Sequence, residues 1–271
     1  QGVRAAGGIW SLEDLANYHT VEREPLRFTL ANGRELIGAP PPSAGGMILA
    51  QSLGILERLS WRDAEPLQRS HLVIEALRRA YRDRGQLGDP DFVASPLRHL
   101  LSDQYLDQLA SSIDPDRATP SSALPPAPRW REGEHTTHFA VIDAEGNAVA
   151  ATLSLNMMFG AAFSVPGTGV LLNDEMDDFA ADIDGSNAYG LKGSSANAIS
   201  GGKRPLSSMS PTFIESAEEF AAFGTPGGSR IPSMVLLSAL AYLEGKPMQA
   251  WPAVPRYHHQ YLPDVLQYEA D

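Results

Sequence analysis

An α+β or layered-sandwich fold is what this 271-residue sequence predicts, and three observations carry it. Two segments, "LRFTLANGRELIGA" and "THFAVIDAEGNAVAATLS", alternate apolar and polar residues on either side of a turn signal, as antiparallel hairpins do. Two others repeat apolar residues at helical spacing. Strands and helices are mixed without regular βαβ alternation, which argues against a doubly wound parallel sheet.

In chain order, Ser11 followed by Asp14 is a capping-box variant that opens a short helix through "LEDLANY". Leu26, Phe28 and Leu30 alternate up to Asn32-Gly33, so two strands flank that turn. The run "APPPSAGG" cannot be helical and leads into a helix with Leu49, Leu53 and Leu56 on one face. A second helix places Leu67, His71, Ile74, Leu77 and Tyr81 on one face and ends near Gly85; His71 reads as a packed core histidine rather than a catalytic one. Residues 114–135 carry five prolines and no hydrophobic periodicity, the marks of an exposed linker. Beyond it lie the second hairpin, a glycine-rich stretch, a polar segment from Asp182 to Lys203, strand-like runs at "SPTFI" and "FAAFG", and an apolar helix after "TPGGSR".

Composition narrows the function. The net charge of −12, without a basic block, argues against nucleic acid and anionic membranes as partners. No apolar run reaches the length of a membrane span. Cysteine is absent, which excludes disulfides, thiol catalysis and cysteine metal sites.

The chemistry begins at the second hairpin. If Asp143 pairs with Ala148, Thr136 falls opposite Leu155, with Ser154 and Asn156 beside it and Thr152 a little further off. A threonine hydroxyl needs a base to act as a nucleophile. His138 is a candidate two residues along, and a structural role for it is at least as well supported. A free α-amino group on Thr136 itself would serve, and that requires the chain to be cut before Thr136, where the linker ends. The bland alternative is an ordinary strand threonine. Asp174, Glu175, Asp177 and Asp178 crowd five positions, either a solvated acidic turn or a site for a cationic ligand. The calcium-loop spacing is not met. Ser207 and Ser208 are a plain turn or hydroxyl donors for a carboxylate, and Gly227 and Gly228 precede a helix where amides meet anions.

Taken in order, "GEHTTHFAVIDAEGNAVAATLSLN", "VPGTGVLLNDEMDDF", "KRPLSSMSP", "TPGGSRIPSMVL" and "VPRYHHQYLPD" resemble the γ-glutamyltranspeptidase family, as do "GGIWSLEDLANY", "PPPSAGGMILAQSLGILE" and "AYRDRGQLGDPDFV" upstream. The resemblance covers essentially the whole chain. It implies a four-layer αββα sandwich of the N-terminal nucleophile hydrolase type, made as a precursor that cuts itself between His135 and Thr136. Residues 1–135 would be the C-terminal part of a large subunit and 136–271 most of a small catalytic subunit, associated as a heterodimer or completed by the remainder of the large subunit. The resemblance also implies that the family's N-terminal half, with an arginine that pairs with the substrate carboxylate, lies outside this chain.

By the same resemblance Thr136 is the nucleophile, supported by Ser154 or the nearby Thr152, and Gly227 and Gly228 form an oxyanion hole. Asn156, Glu175 and Asp178 would hold the donor's α-amino group and Ser207 and Ser208 its α-carboxylate, while Tyr189 matches the tip of a closing loop. The implied substrates are glutathione or other γ-glutamyl compounds, with amino acids or peptides as acceptors. No cofactor or metal is implied, and bacterial relatives point to the periplasm or the exterior. The alternatives are a related amidase acting on poly-γ-glutamate or a cephalosporin side chain, and a non-catalytic scaffold or fragment.

Overall fold

The computed structural model describes residues 1–124, 136–183 and 185–269. It opens with two short helices, α1 (Gly2–Ala5) and α2 (Leu12–Asn17). α2 carries the capping box expected from its sequence: the Asp14 amide donates to Ser11 Oγ and the Ser11 amide to the Asp14 carboxylate. Strands β1 (Leu26–Thr29) and β2 (Glu35–Gly38) form the first hairpin. Helices α3 (Gly45–Arg58), α4 (Pro66–Arg84), α5 (Leu97–Leu100) and α6 (Asp103–Ser111) follow. After the linker come β3 (Thr136–Ile142), β4 (Ala148–Ser154), β5 (Thr212–Glu215), β6 (Phe220–Phe223), α7 (Ile231–Leu243), β7 (Tyr257–His258) and β8 (Gln267–Tyr268).

One antiparallel sheet runs in the order β1-β2-β5-β6, so strands from either side of the linker are hydrogen-bonded neighbours at its centre, with Leu36 opposite Ile214. Its residues alternate: Leu26, Leu36, Ile214, Ala221 and Phe223 are buried, while Phe213 and Phe220 lie on the more open face. The buried side meets α3, whose Gly45 to Leu56 are all buried, with the side-chain amide of the polar Gln51 among them donating to Asp83 and the Leu100 carbonyl. α4, α6 and α7 pack around it, which joins both halves of the chain in one hydrophobic cluster. The β3–β4 hairpin is a separate two-stranded sheet whose His138 ring lies over Gly224, just beyond β6, while Phe139, Val141 and Leu153 are about half exposed. The described residues thus build a helical layer, a four-stranded sheet and a second, two-stranded sheet. Among the described residues, no helix is long and apolar enough to cross a membrane.

Three expectations change. First, Leu67 is 86% exposed, and the face of α4 that enters the core carries Leu72, Val73, Ala76, Leu77, Ala80 and Tyr81. The polar residues beside it are buried because they are paired: Glu75 bridges Arg78 at 3.2 Å and Arg79 at 2.7 Å. His71 is only half-buried, with a ring nitrogen 2.9 Å from the Asp114 carbonyl oxygen. Second, the linker is not exposed throughout: Ser121 is fully buried, its amide donating to Asp264 at 2.7 Å, and the Thr119 amide donates to Glu75 at 3.1 Å. Residues 125–135, including His135, lie outside the described residues.

Third, the hairpin register is one residue away from the expected one: Thr136 pairs with Ser154, not Leu155. The cause is in the turn. Asp143 pairs with Asn147 across a three-residue loop, Gly146 taking the left-handed conformation at φ +86°, and the Asp143 carboxylate accepts the Asn147 amide at 2.8 Å. This shorter loop sets Thr136 directly across from Ser154.

Candidate active site

Thr136 begins β3 and Ser154 ends β4, and their hydroxyl oxygens are 3.2 Å apart. Ser154 Oγ also accepts the Asn156 amide at 2.8 Å and is hydrogen-bonded to the Glu175 carboxylate. A serine hydroxyl has one proton and two lone pairs. When the Ser154 hydroxyl donates to Glu175, its lone pairs take the Asn156 amide and the Thr136 hydroxyl, and the Thr136 O–H is drawn towards Ser154.

The long loop after β4 brings in the acidic residues. Asn156, 2% exposed, adopts φ +70°, a left-handed conformation that asparagine tolerates better than most residues. Its side-chain amide donates to the Asp174 carbonyl at 3.2 Å, and the Asp174 carboxylate accepts the Met157 amide at 2.9 Å. Glu175 and Asp178 sit on one 3-10 turn and are hydrogen-bonded to each other. Burial first, and each other's charge next for Asp178, push both carboxyls above their ordinary range, so the pair tends to retain a proton. Such a pair is stabilised by an incoming ammonium group, which lets the proton leave.

Tyr189 is buried and donates from its hydroxyl to the Asn156 carbonyl at 2.6 Å. Its loop is tied down by the Asn187 side-chain amide on Asp178 at 3.3 Å and the Ala188 amide on Asp177 at 2.8 Å. Ser207 and Ser208 arrive on the segment leading to β5, where Ser207 bridges Ser43. The Ser208 hydroxyl is buried and has no hydrogen-bond partner among the described residues. A group in that position has lost water and gained nothing, a cost a bound acceptor would remove.

Gly227 and Gly228 precede α7 with φ +139° and +56°, conformations that side chains disfavour. A Cβ on Gly227 would also stand 2.2 Å from Met234 Cε. Amides at the head of a helical segment have no partner within it and are free to face an anion. This turn is fixed from behind: Tyr81 donates to the Ser229 carbonyl, and Ser229 Oγ donates at 2.7 Å to Gln260 Oε1. The Gln260 side-chain amide donates in turn to the Tyr189 carbonyl at 2.9 Å.

Thr136, Ser154, Asn156, Glu175, Asp178, Tyr189, Ser207, Ser208 and Gly228 line one narrow cleft. Gly227 instead faces an adjoining open pocket, which shares Thr136 with the cleft and carries Arg230 and Arg256. Thr152 is not brought to Thr136: it pairs with His138, whose Nδ1 is 2.8 Å from Thr152 Oγ1. Burial lowers the His138 pKa, and its ring packs against Gly224, outside the cleft. Sequence reasoning missed Gln260 and Arg84. Arg84, on α4, acts electrostatically on Asp178 from a cavity behind it.

Layered helices and sheets with a threonine at the start of a strand are the architecture of the N-terminal nucleophile hydrolases. The fold matches the crystal structure of a cephalosporin acylase from Bacillus halodurans with a TM-score of 0.75 at 24% identity, over 94% of this chain and 44% of that one. Within that class, the chain belongs to the gamma-glutamyltranspeptidase family, whose model matches residues 1–271. It is similar to the glutathione hydrolase proenzyme of Pseudomonas sp. strain A14, with 42% identity over 99% of this chain, and to that of Escherichia coli K12, with 41% identity over 99%. It spans about half the length of these relatives, 47% of each.

Proposed function

We propose that the protein carrying this chain is a γ-glutamyltransferase and glutathione hydrolase, matured by self-cleavage before Thr136. The observation that carries the reading is a single cleft in which a threonine hydroxyl meets groups suited to both charged ends of an amino acid. Glu175, Asp178 and Asn156 accept an ammonium, and Ser207 and Ser208 donate to a carboxylate. An α-amino acid whose side-chain carbonyl reaches Thr136 satisfies all of them.

In maturation Thr136 Oγ1 attacks the His135 carbonyl carbon, the peptide C–N bond breaks as an ester forms, and water hydrolyses that ester. The freed α-amino group then supplies the base the sequence otherwise lacks. It takes the hydroxyl proton as Thr136 Oγ1 attacks the γ-glutamyl carbonyl, and returns it to the leaving amine. Amides of the Gly227-Gly228 turn would bear the negative charge of the tetrahedral intermediate, about 3 kcal/mol per donor. The leaving amine departs towards the cavity beyond Thr136, and water or an acceptor amine enters from there to break the ester. Glutathione, other γ-glutamyl compounds, and amino-acid or peptide acceptors are the proposed substrates. Residues 1–135 and 136–271 are the proposed products of the cut, held together as a heterodimer. Export to the periplasm or the exterior is proposed on the family resemblance and is tested by cell fractionation.

Denatured intact mass after prolonged incubation tests the reading, followed by assay on γ-glutamyl p-nitroanilide. Two masses corresponding to 1–135 and 136–271, with turnover of the γ-glutamyl anilide but not of glutaryl p-nitroanilide, are expected. Preference for the glutaryl compound, which lacks the α-amino group, would favour an acylase of another specificity. A full-length protein that stays uncut and inactive would leave a scaffold.

A further inference from the structure

Asp178 faces the cleft on one side and a second pocket on the other, and Arg84 from the end of α4 lines that second pocket. Arg84 is 4% exposed. Its Nη2 donates to the Leu206 carbonyl at 3.0 Å, immediately before Ser207 and Ser208, and its Nε has no hydrogen-bond partner among the described residues. An arginine taken so far from water needs a counter-charge, and Asp178 is the carboxylate that acts on it. The groups facing Asp178 are Glu175 and Asp177 from its own turn, the Asn187 amide and the Tyr189 phenol from the following loop, and Arg84 from α4. Of these Arg84 is the cation.

We propose that Arg84 is a positioning residue of the glutamyl pocket, balancing the charge of Asp178 from behind and holding, through Leu206, the segment that presents Ser207 and Ser208. It touches no reacting atom. Its effect is to make the ionised form of Asp178 available to an arriving ammonium while fixing the hydroxyls meant for the carboxylate. One side chain from the part of the chain before the linker therefore organises both halves of a pocket built by the part after it. The inference rests on the γ-glutamyl reading for its substrate.

The test is the pH profile of kcat/KM for γ-glutamyl p-nitroanilide in the self-cleaved protein, comparing wild type with Arg84→Gln and Arg84→Lys after intact mass has confirmed cleavage. Removing the positive charge makes Asp178 harder to ionise. Arg84→Gln should therefore move the acidic limb up by about one pH unit, a tenfold loss on its acid side. The kcat at saturating donor should stay within about threefold, since an effect on ground-state binding appears in KM. Arg84→Lys should keep the limb near that of wild type. A limb that stays in place in Arg84→Gln while activity falls evenly across pH overturns the proposal, as does a lysine variant no better than glutamine. Where Arg84→Gln alone does not fold, Arg84→Gln with Asp178→Asn removes both charges together. Recovered folding is expected, and a double variant as unstable as the single one overturns the pairing. A wild-type protein that turns over no γ-glutamyl donor overturns the functional reading instead, and the melting comparison of single and double variants still decides the Arg84–Asp178 couple.

Discussion

Ser154 is the position at which the structure makes the sharpest demand. Replacing it with alanine removes the acceptor of the Asn156 amide at 2.8 Å, on a residue only 2% exposed, and the partner of the Thr136 hydroxyl at 3.2 Å. A buried amide left without a partner costs about 1–3 kcal/mol, and a lost neutral hydrogen bond about 1 kcal/mol. Part of this falls on the folded state and part on the proposed reaction, in which Thr136 is aligned twice, for self-cleavage and for acyl transfer. If about 1–3 kcal/mol of it reaches the transition state, the rate falls roughly 5- to 150-fold. Ser154→Thr keeps the hydroxyl and should recover activity to within about fivefold. The assay follows fragment formation by denatured mass over time, then kcat/KM on γ-glutamyl p-nitroanilide for whatever has matured, with thermal melting to separate loss of fold from loss of chemistry. An alanine variant that matures and turns over within threefold of wild type refutes the role argued for Ser154.

Other expectations follow from the same geometry. Asp178 has a carboxyl pKa raised in the folded state, so the stability it contributes is present below the ordinary carboxylate range and is lost as pH rises through the raised value. Asp178→Asn, which keeps an acceptor for Asn187, should abolish donor binding and flatten the fall in melting temperature between pH 4 and neutral pH; melting that changes in parallel for variant and wild type over that range counts against the raised carboxyl. Gly228→Ala forces a side chain into φ +56° at the turn beside Thr136, and a drop in kcat of about 100-fold with little change in KM is expected from steady-state kinetics. After cleavage, residues 1–135 and 136–271 should co-elute in native gel filtration and separate only in denaturant, because the β2–β5 ladder and the α3–α7 packing cross the cut; elution as two separate species would contradict that.

The sequence was most legible where local chemistry decides. The two hairpins, the capping box at Ser11 and the apolar face of α3 follow from turn residues and periodicity within a dozen positions. The neighbourhood of Thr136 was legible to one residue, and the missing residue lay in the turn: a four-residue loop and a three-residue loop with a left-handed glycine leave the same alternation in the strands. On α4 the reading failed in an instructive way. Leu67, placed on the core face by its spacing, is exposed, whereas Glu75, Arg78, Arg79 and Arg84, which the apolar spacing left out, are all at least 95% buried. Hydrophobic periodicity treats charge as a sign of water. It cannot see that Glu75 and Arg79 neutralise each other, or that the partners of Arg78 and Arg84 lie far along the chain at Asp264 and Asp178.

That failure bears on how such a site is built. Its visible groups, the threonine, the two serines, the acidic pair and the glycines, stand in short motifs because, on the proposed function, each faces one small ligand from its own loop. What holds those loops in register is spread along the chain: Tyr81 behind the glycine turn, Gln260 between Ser229 and Tyr189, and Arg84 behind Asp178 and Leu206. These residues carry no motif of their own, since a tyrosine, a glutamine or an arginine on a buried surface has many structural uses. They become readable only when their hydrogen bonds converge on one cleft, and that convergence is why α4, which contributes nothing to the lining of the cleft, reaches both the glycine turn and the acidic pair. A change on α4 should accordingly act on donor binding and on acyl transfer separately, through Arg84 and Tyr81. Tyr81→Phe frees the Ser229 carbonyl and should lower kcat with KM little changed, the opposite split from Arg84→Gln; steady-state kinetics in which both variants move the same parameter would break the argument that the two supports are independent.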